Sequence, residues 1–171
     1  YFEDLDKCLD DLSVDKPEVD YKITNDDDAL YIYTSGTTGN PKAATISHKR
    51  LRLMMLGFKG AIQPNKNDRV YNVLPLYHSA GGVIAVGLAL TSGASLVLKR
   101  KFSVNEFWED VYKYKVTIFQ YIGELCRYLL NAPTHKYEKD HNLRMVTGNG
   151  LRPDIWDDFK ERFNIKNILE F

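Results

Sequence analysis

Residues 70–98 read VYNVLPLYHSAGGVIAVGLALTSGASLVL, and how that stretch divides decides the fold. Val70 to Leu74 is a short apolar run of the kind that forms a buried strand. Gly81 to Leu90 reads as an apolar helix, and Ser95 to Leu98 as a second short strand. From Ser79 to Leu98 there is no charged residue, which matches the roughly 20 residues of a membrane-spanning helix. The break at Thr91-Ser92-Gly93 and the four glycines within the stretch favour a buried helix, a turn and a buried strand instead.

The same rhythm continues on both sides. Towards the N-terminus, Ala29 to Tyr33 has a buried-strand pattern bounded by a glycine-rich turn, and Ser47 caps a helix carrying Leu51, Met54, Met55 and Phe58. Towards the C-terminus, Ser103 and Glu106 form a capping box ahead of Phe107, Trp108, Val111 and Tyr112. Val116 to Tyr121 is a strand, Glu124 to Asn131 a helix, and Leu143 to Thr147 a strand. Pro153 opens a helix running to Phe163, and Ile165 to Phe171 closes as a strand. Cys126, Tyr128, Leu129, Trp108 and Trp156 fall at core positions.

Strands alternating with helices predict an α/β domain with a mainly parallel sheet flanked by helices. Such sheets bind ligands at the carboxyl ends of their strands, and both Thr34–Lys42 and Gly148–Gly150 are expected there. Residues 1–28 divide from this unit: Phe2, Leu5, Leu9 and Leu12 at helical spacing, then an acidic linker ending in Asp26-Asp27-Asp28. Residues 29–171 form the α/β part.

A chain of 171 residues has the length of one domain, and its 11 Tyr and 8 Phe exclude disorder. The 23 basic residues balance the 23 acidic ones, so no global field draws in nucleic acid. Cys8 and Cys126 have neither metal-ligand nor redox spacing, which points to a reducing, intracellular compartment. No metal-ligand motif is present. The chain opens on Tyr1 and stops on Phe171 inside an apolar run, so it reads as part of a longer protein.

The strongest local signal is Tyr33-Thr34-Ser35-Gly36-Thr37-Thr38-Gly39-Asn40-Pro41-Lys42. Gly36 and Gly39 allow tight turns, and successive N–H groups in such turns form a nest for an oxyanion. The hydroxyls of Thr34, Ser35, Thr37 and Thr38 add donors, and Lys42 adds a compact positive charge suited to phosphate. A surface turn accounts for any one of these residues, but poorly for all of them together. The Walker loop is excluded, because Pro41 separates the glycines from Lys42 and Ala43-Ala44 follow.

Residues 33–42 resemble the phosphate loop of the adenylate-forming, AMP-binding superfamily. Ala43, where most of that superfamily has Gly, is similar to the branch of fatty acid transport proteins and very-long-chain acyl-CoA synthetases. Three further stretches resemble the same branch: Leu74 to Gly82, Gln120 to Leu130, and Gly148 to Trp156. The resemblance implies the large N-terminal domain of an enzyme that joins a long- or very-long-chain fatty acid to AMP and then to coenzyme A, coupled to fatty acid uptake.

The resemblance also implies roles. Thr34, Ser35, Gly36, Thr37, Thr38, Gly39 and Lys42 grip the departing pyrophosphate of ATP, with Lys42 the least replaceable. His78 positions the carboxylate and the adenylate phosphate; by its own setting it is as readily a surface or packed histidine. Gly148, Asn149 and Gly150 line the adenine pocket, although taken alone they make an ordinary turn. Tyr121, Ile122 and Gly123 border the acyl pocket, and on their own are the end of a buried strand.

In the family, the magnesium-binding glutamate of a Tyr-Gly-x-Thr-Glu motif and a C-terminal domain with a catalytic lysine follow the strand that matches residues 165–171. The expected co-substrates are therefore ATP with Mg2+ and coenzyme A, and residues 1–171 alone are expected to be inactive. Membrane association, at the endoplasmic reticulum or plasma membrane, is expected to come from regions outside this stretch. Two other readings stand beside the ligase: a non-catalytic fatty-acid transport or lipid-binding protein, and a ligase for another carboxylic acid.

Overall fold

A computed structural model describes residues 9, 12–34 and 40–171. The predicted helix over residues 2–12 lies almost wholly outside the described residues. Strands β1 (Asp28–Thr34) and β2 (Lys42–Ser47) form an antiparallel hairpin, with Thr34 opposite Lys42 and Asp28 opposite Ser47. This corrects the sequence reading of residues 29–33 as a buried strand of the main sheet. Leu30, Tyr31 and Tyr33 are exposed, and only Ile46 of β2 is buried. The intervening residues are too few for a parallel crossover, which needs a dozen or more.

Helix α1 (His48–Ile62) starts where expected. The Ser47 hydroxyl accepts from the Arg50 N–H at 3.3 Å, a cap that stabilises a helix by about 1 kcal/mol. The hairpin is tied to the same helix start, because His48 N–H donates to the Asp27 carbonyl at 3.0 Å and Lys49 N–H to the Asn25 carbonyl at 2.8 Å.

Five strands follow: β3 (Arg69–Asn72), β4 (Ser95–Leu98), β5 (Ile118–Ile122), β6 (Met145–Asn149) and β7 (Ile168–Glu170). They pair in parallel in the order β4-β3-β5-β6-β7. The chain enters at β3, moves outward to β4, then crosses back and builds β5, β6 and β7 on the other side. Between β3 and β5 the direction of winding reverses, which in open parallel sheets is where the crevice for a ligand opens.

Helices cover both faces, as parallel strands require. On one face Val70, Ile118, Leu96, Met145 and Leu169 meet Phe58 and Ile62 of α1, a π-helical segment (Ser79–Ala85) and α2 (Val86–Ser92), which continues it. On the other, Tyr71, Phe119, Tyr121 and Val146 meet α3 (Val104–Lys113), α4 (Gly123–Asn131) and α5 (Pro153–Phe163). Trp108, Cys126 and Leu129 are core residues as expected, whereas Tyr128 is exposed on the outer side of α4. Among the described residues, no helix is long and apolar enough to cross a membrane.

The capping box at Ser103 does not form. Ser103 occupies the N-cap position without a side-chain cap bond. Glu106, its expected partner, pairs with Lys99 at 3.3 Å instead, and Lys99 also reaches Asp110 at 2.8 Å.

At the amino ends of the strands, buried Asp68 gathers three elements. Its carboxylate accepts from Arg144 Nε at 2.8 Å and Nη2 at 2.7 Å, from the Thr117 hydroxyl at 2.7 Å and from the Asn65 N–H at 2.9 Å. Burial works to raise this carboxyl, but the bonds from Arg144, Thr117 and Asn65 outweigh it and hold it below the usual carboxylate range.

Candidate functional site

The carboxyl ends of β3, β5 and β6 bring His78, Tyr121 to Gly123 and Gly148 to Gly150 to one edge of the sheet. At the end of β3, buried Asn72 shapes the turn: its Oδ1 accepts from the Leu74 N–H at 3.1 Å and its Nδ2 donates to the Leu74 carbonyl at 3.2 Å. The His78 N–H then donates to the Pro75 carbonyl at 3.1 Å, and His78 becomes the N-cap of the π-helical segment. Its Nδ1 accepts from the Ala80 N–H at 3.2 Å. A neutral ring with Nδ1 as acceptor carries its proton on Nε2, so the exposed imidazole offers an outward donor.

The loops after β5 and β6 touch. Ile122 is opposite Asn149 and Tyr121 opposite Gly148 in register. A Cβ on Gly123 would overlap the Gly150 carbonyl oxygen, so the start of α4 rests on the loop after β6. Gly148 is similarly constrained: a Cβ there would come within 2.8 Å of Tyr121 Cγ. The Tyr121 ring therefore crosses β6 over a residue with no side chain. Its hydroxyl reaches β7, donating to Glu170 Oε1 at 2.6 Å. Burial, then the adjacent Glu170 carboxylate, push the Tyr121 phenol well above its usual range, so it stays a donor.

The same Glu170 oxygen accepts from the Leu151 N–H at 2.8 Å. Phe171 N–H also donates to the Gly148 carbonyl at 3.2 Å. Gly148 is buried, Asn149 and Gly150 are exposed, and Gly150 lies in the left-handed region at φ 81°. Glu170 was not singled out from the sequence; its signal was an acid in the apolar run Ile168-Leu169-Glu170-Phe171.

Below this edge, Asn72, Gln120 and Thr147 stand side by side in register on β3, β5 and β6. Strand alternation puts them on the face of Val70, Ile118 and Met145, towards α1, the π-helical segment and α2. Gln120 and Thr147 are completely buried, and Gln120 Nε2, Gln120 Oε1 and Thr147 Oγ1 have no hydrogen-bond partner among the described residues. Nearby, an apolar cavity of about 400 Å³ opens between α1 and β7, lined by Leu53, Met54, Phe58, Leu169 and Phe171.

The phosphate motif follows a strand of the separate hairpin, not a strand of the parallel sheet. Thr34 and Lys42 are register partners at the loop end of the separate hairpin, and Lys42 is exposed. Ser35, Gly36, Thr37, Thr38 and Gly39 lie outside the described residues. Among the described residues, no group of three His, Cys, Asp or Glu side chains comes together to hold a metal ion.

The model of the family described as "AMP-binding enzyme" matches residues 2–171. Long-chain fatty acid transport protein 1 of Homo sapiens is 51% identical over 146 residues, covering 85% of this chain and 23% of the relative. The medium/long-chain-fatty-acid–CoA ligase FadD6 of Mycobacterium tuberculosis is 40% identical over 170 residues, covering 99% of this chain and 28% of the relative. The chain thus spans about a quarter of the length of these curated relatives. Among solved structures, the inhibitor-bound N-terminal domain of FACL13 from Mycobacterium tuberculosis superposes with a TM-score of 0.81 at 21% identity, covering 97% of this chain and 41% of that one. That likeness establishes the fold.

Proposed function

The chain belongs to the AMP-binding enzyme family, and from that membership we propose that the protein activates a long-chain fatty acid with ATP. The fatty carboxylate attacks the α-phosphate to give acyl-adenylate and pyrophosphate, and the thiol of coenzyme A then displaces AMP to give acyl-CoA. The observation that carries this reading is the 40% identity to a fatty-acid–CoA ligase over 170 residues, a span that includes the phosphate motif and the loops after β3, β5 and β6.

The residues divide the work by their chemistry. Thr34 to Lys42 supply hydroxyls, turn N–H groups and a cation to the departing pyrophosphate, where charge accumulates. His78 donates from Nε2 to the carboxylate or the adenylate phosphate, its ring held by the bond to Ala80. Gly148, Asn149 and Gly150 accept the flat adenine ring, the small residues letting it approach the backbone. Tyr121, Ile122 and Gly123 wall the acyl side. Gln120 and Thr147 face the other side of the sheet from Tyr121, the side on which the apolar cavity beside β7 suits a hydrocarbon.

Mg2+ accompanies ATP in this reading. No described cluster fits a metal ion, so no step is assigned to one. Association of the protein with a membrane, at the endoplasmic reticulum or the plasma membrane, belongs to the same proposal and rests on the names of the fatty acid transport relatives. Those names also favour a second reading, in which the domain holds fatty acid for uptake without turnover. The two separate on one experiment: full-length protein incubated with ATP, Mg2+, coenzyme A and a long-chain fatty acid, with acyl-CoA detected by mass spectrometry. Accumulating acyl-CoA supports the ligase. Fatty acid binding without product overturns it in favour of the carrier.

A further inference from the structure

We propose that Glu170 is the positioning residue of the adenine loop: one of its carboxylate oxygens fixes the backbone of residues 148–151 through Tyr121 and Leu151. The proposal rests on the reading above that this loop meets the adenine ring, and it adds a residue that no motif of the sequence identified.

The geometry is specific. Glu170 Oε1 accepts from the Tyr121 hydroxyl at 2.6 Å and from the Leu151 N–H at 2.8 Å. The first donor lies on β5, two strands away, and reaches β7 only because Gly148 offers no side chain in its path. The second lies just past the loop, at a residue that is itself buried. The next residue of the chain, Phe171, binds the Gly148 carbonyl at the other end of the loop. The end of β7 therefore grips both ends of a turn whose middle residue, Gly150, is left-handed and exposed.

Hydrogen bonds to a carboxylate are about twice as strong as neutral ones, and a preorganised backbone spares a ligand the cost of ordering it. Glu170 needs no contact with the nucleotide to act this way. Its effect is confined to ligands that use the loop. AMP, which carries adenine, depends on it; pyrophosphate, held by the hairpin motif, does not.

The test measures equilibrium binding of AMP and, separately, of pyrophosphate to the full-length protein, as wild type, Glu170→Ala, Glu170→Gln and Tyr121→Phe. Losing the charge-assisted bonds should weaken AMP about tenfold in Glu170→Ala, with pyrophosphate binding unchanged within about twofold. Tyr121→Phe, which removes one donor and keeps the ring, should weaken AMP alone by a smaller factor. Glu170→Gln keeps an oxygen that accepts both bonds and should restore AMP binding to near wild type. If Glu170→Ala does not fold, the contrast between Tyr121→Phe and Glu170→Gln decides. Wild-type AMP binding that survives unchanged in Glu170→Ala and Tyr121→Phe overturns the positioning role alone, as does equal weakening of AMP and pyrophosphate. A wild type that binds no AMP overturns the enzyme reading itself.

Discussion

Gly123 and Gly150 meet backbone to backbone, the first residue of α4 lying where any side-chain carbon would overlap the Gly150 carbonyl oxygen. The loops after β5 and β6 are thereby one unit, and a change in one is felt in the other. Gly123→Ala forces the two apart at backbone atoms that have no rotamer to absorb the shift. The expected cost is about 1–3 kcal/mol of stability, together with weaker AMP binding. Thermal unfolding with and without AMP checks both, and a variant as stable and as AMP-responsive as wild type contradicts the packing.

The observed cap and the proposed site role of His78 can be separated by one substitution. Its Nδ1 caps the π-helical segment through Ala80, and its Nε2 is the outward donor. Asn at this position keeps an acceptor for the cap and lacks the distal nitrogen. His78→Asn should keep the melting temperature close to wild type while lowering acid-dependent pyrophosphate release about 100-fold. A fall in melting temperature that accounts for the lost rate would make His78 a structural cap and nothing more.

Much of the fold was legible because parallel strands are buried on both faces. Val70-Tyr71, Ile118 to Tyr121 and Val146-Thr147 are runs that water does not interrupt, and each strand appears within a few residues of its expected place. Strand β2 was not legible. Lys42-Ala43-Ala44-Thr45 has two alanines, is exposed throughout, and takes its strand character from pairing with β1. The failed cap at Ser103 has the same kind of cause, since Glu106 answers to Lys99, which no local pattern encodes. In the candidate site, the glycines and His78 were visible as motifs. Glu170 was not, because its meaning lies in Tyr121, 49 residues away in the chain.

Gln120 carries two amide atoms into the core with no partner among the described residues. Burying such groups unsatisfied costs about 1–3 kcal/mol, so Gln120→Met, similar in volume and apolar, should raise stability by a comparable amount. Chemical denaturation measures this directly. A destabilised Met variant would mean that the amide is satisfied in solution.

The Asp68 network contributes to the acid limb of stability. Its carboxyl is depressed in the folded protein, so its contribution is complete above the ordinary carboxylate value near ~3.9 and is lost as pH falls through the lower folded value. Asp68→Asn should lower stability at neutral pH and flatten the fall of melting temperature in that acid window. An unchanged acid limb in the variant would show that other carboxylates govern it.

The most direct test of the central claim is pyrophosphate release from ATP by the full-length protein across fatty acids of different lengths, with Lys42→Ala alongside. Lys42 stands at the loop end of the β1–β2 hairpin, opposite Thr34. The account predicts release that requires a fatty acid and falls at least about 100-fold in the variant. Release at the wild-type rate in Lys42→Ala, or none from wild-type protein with any fatty acid, would contradict it.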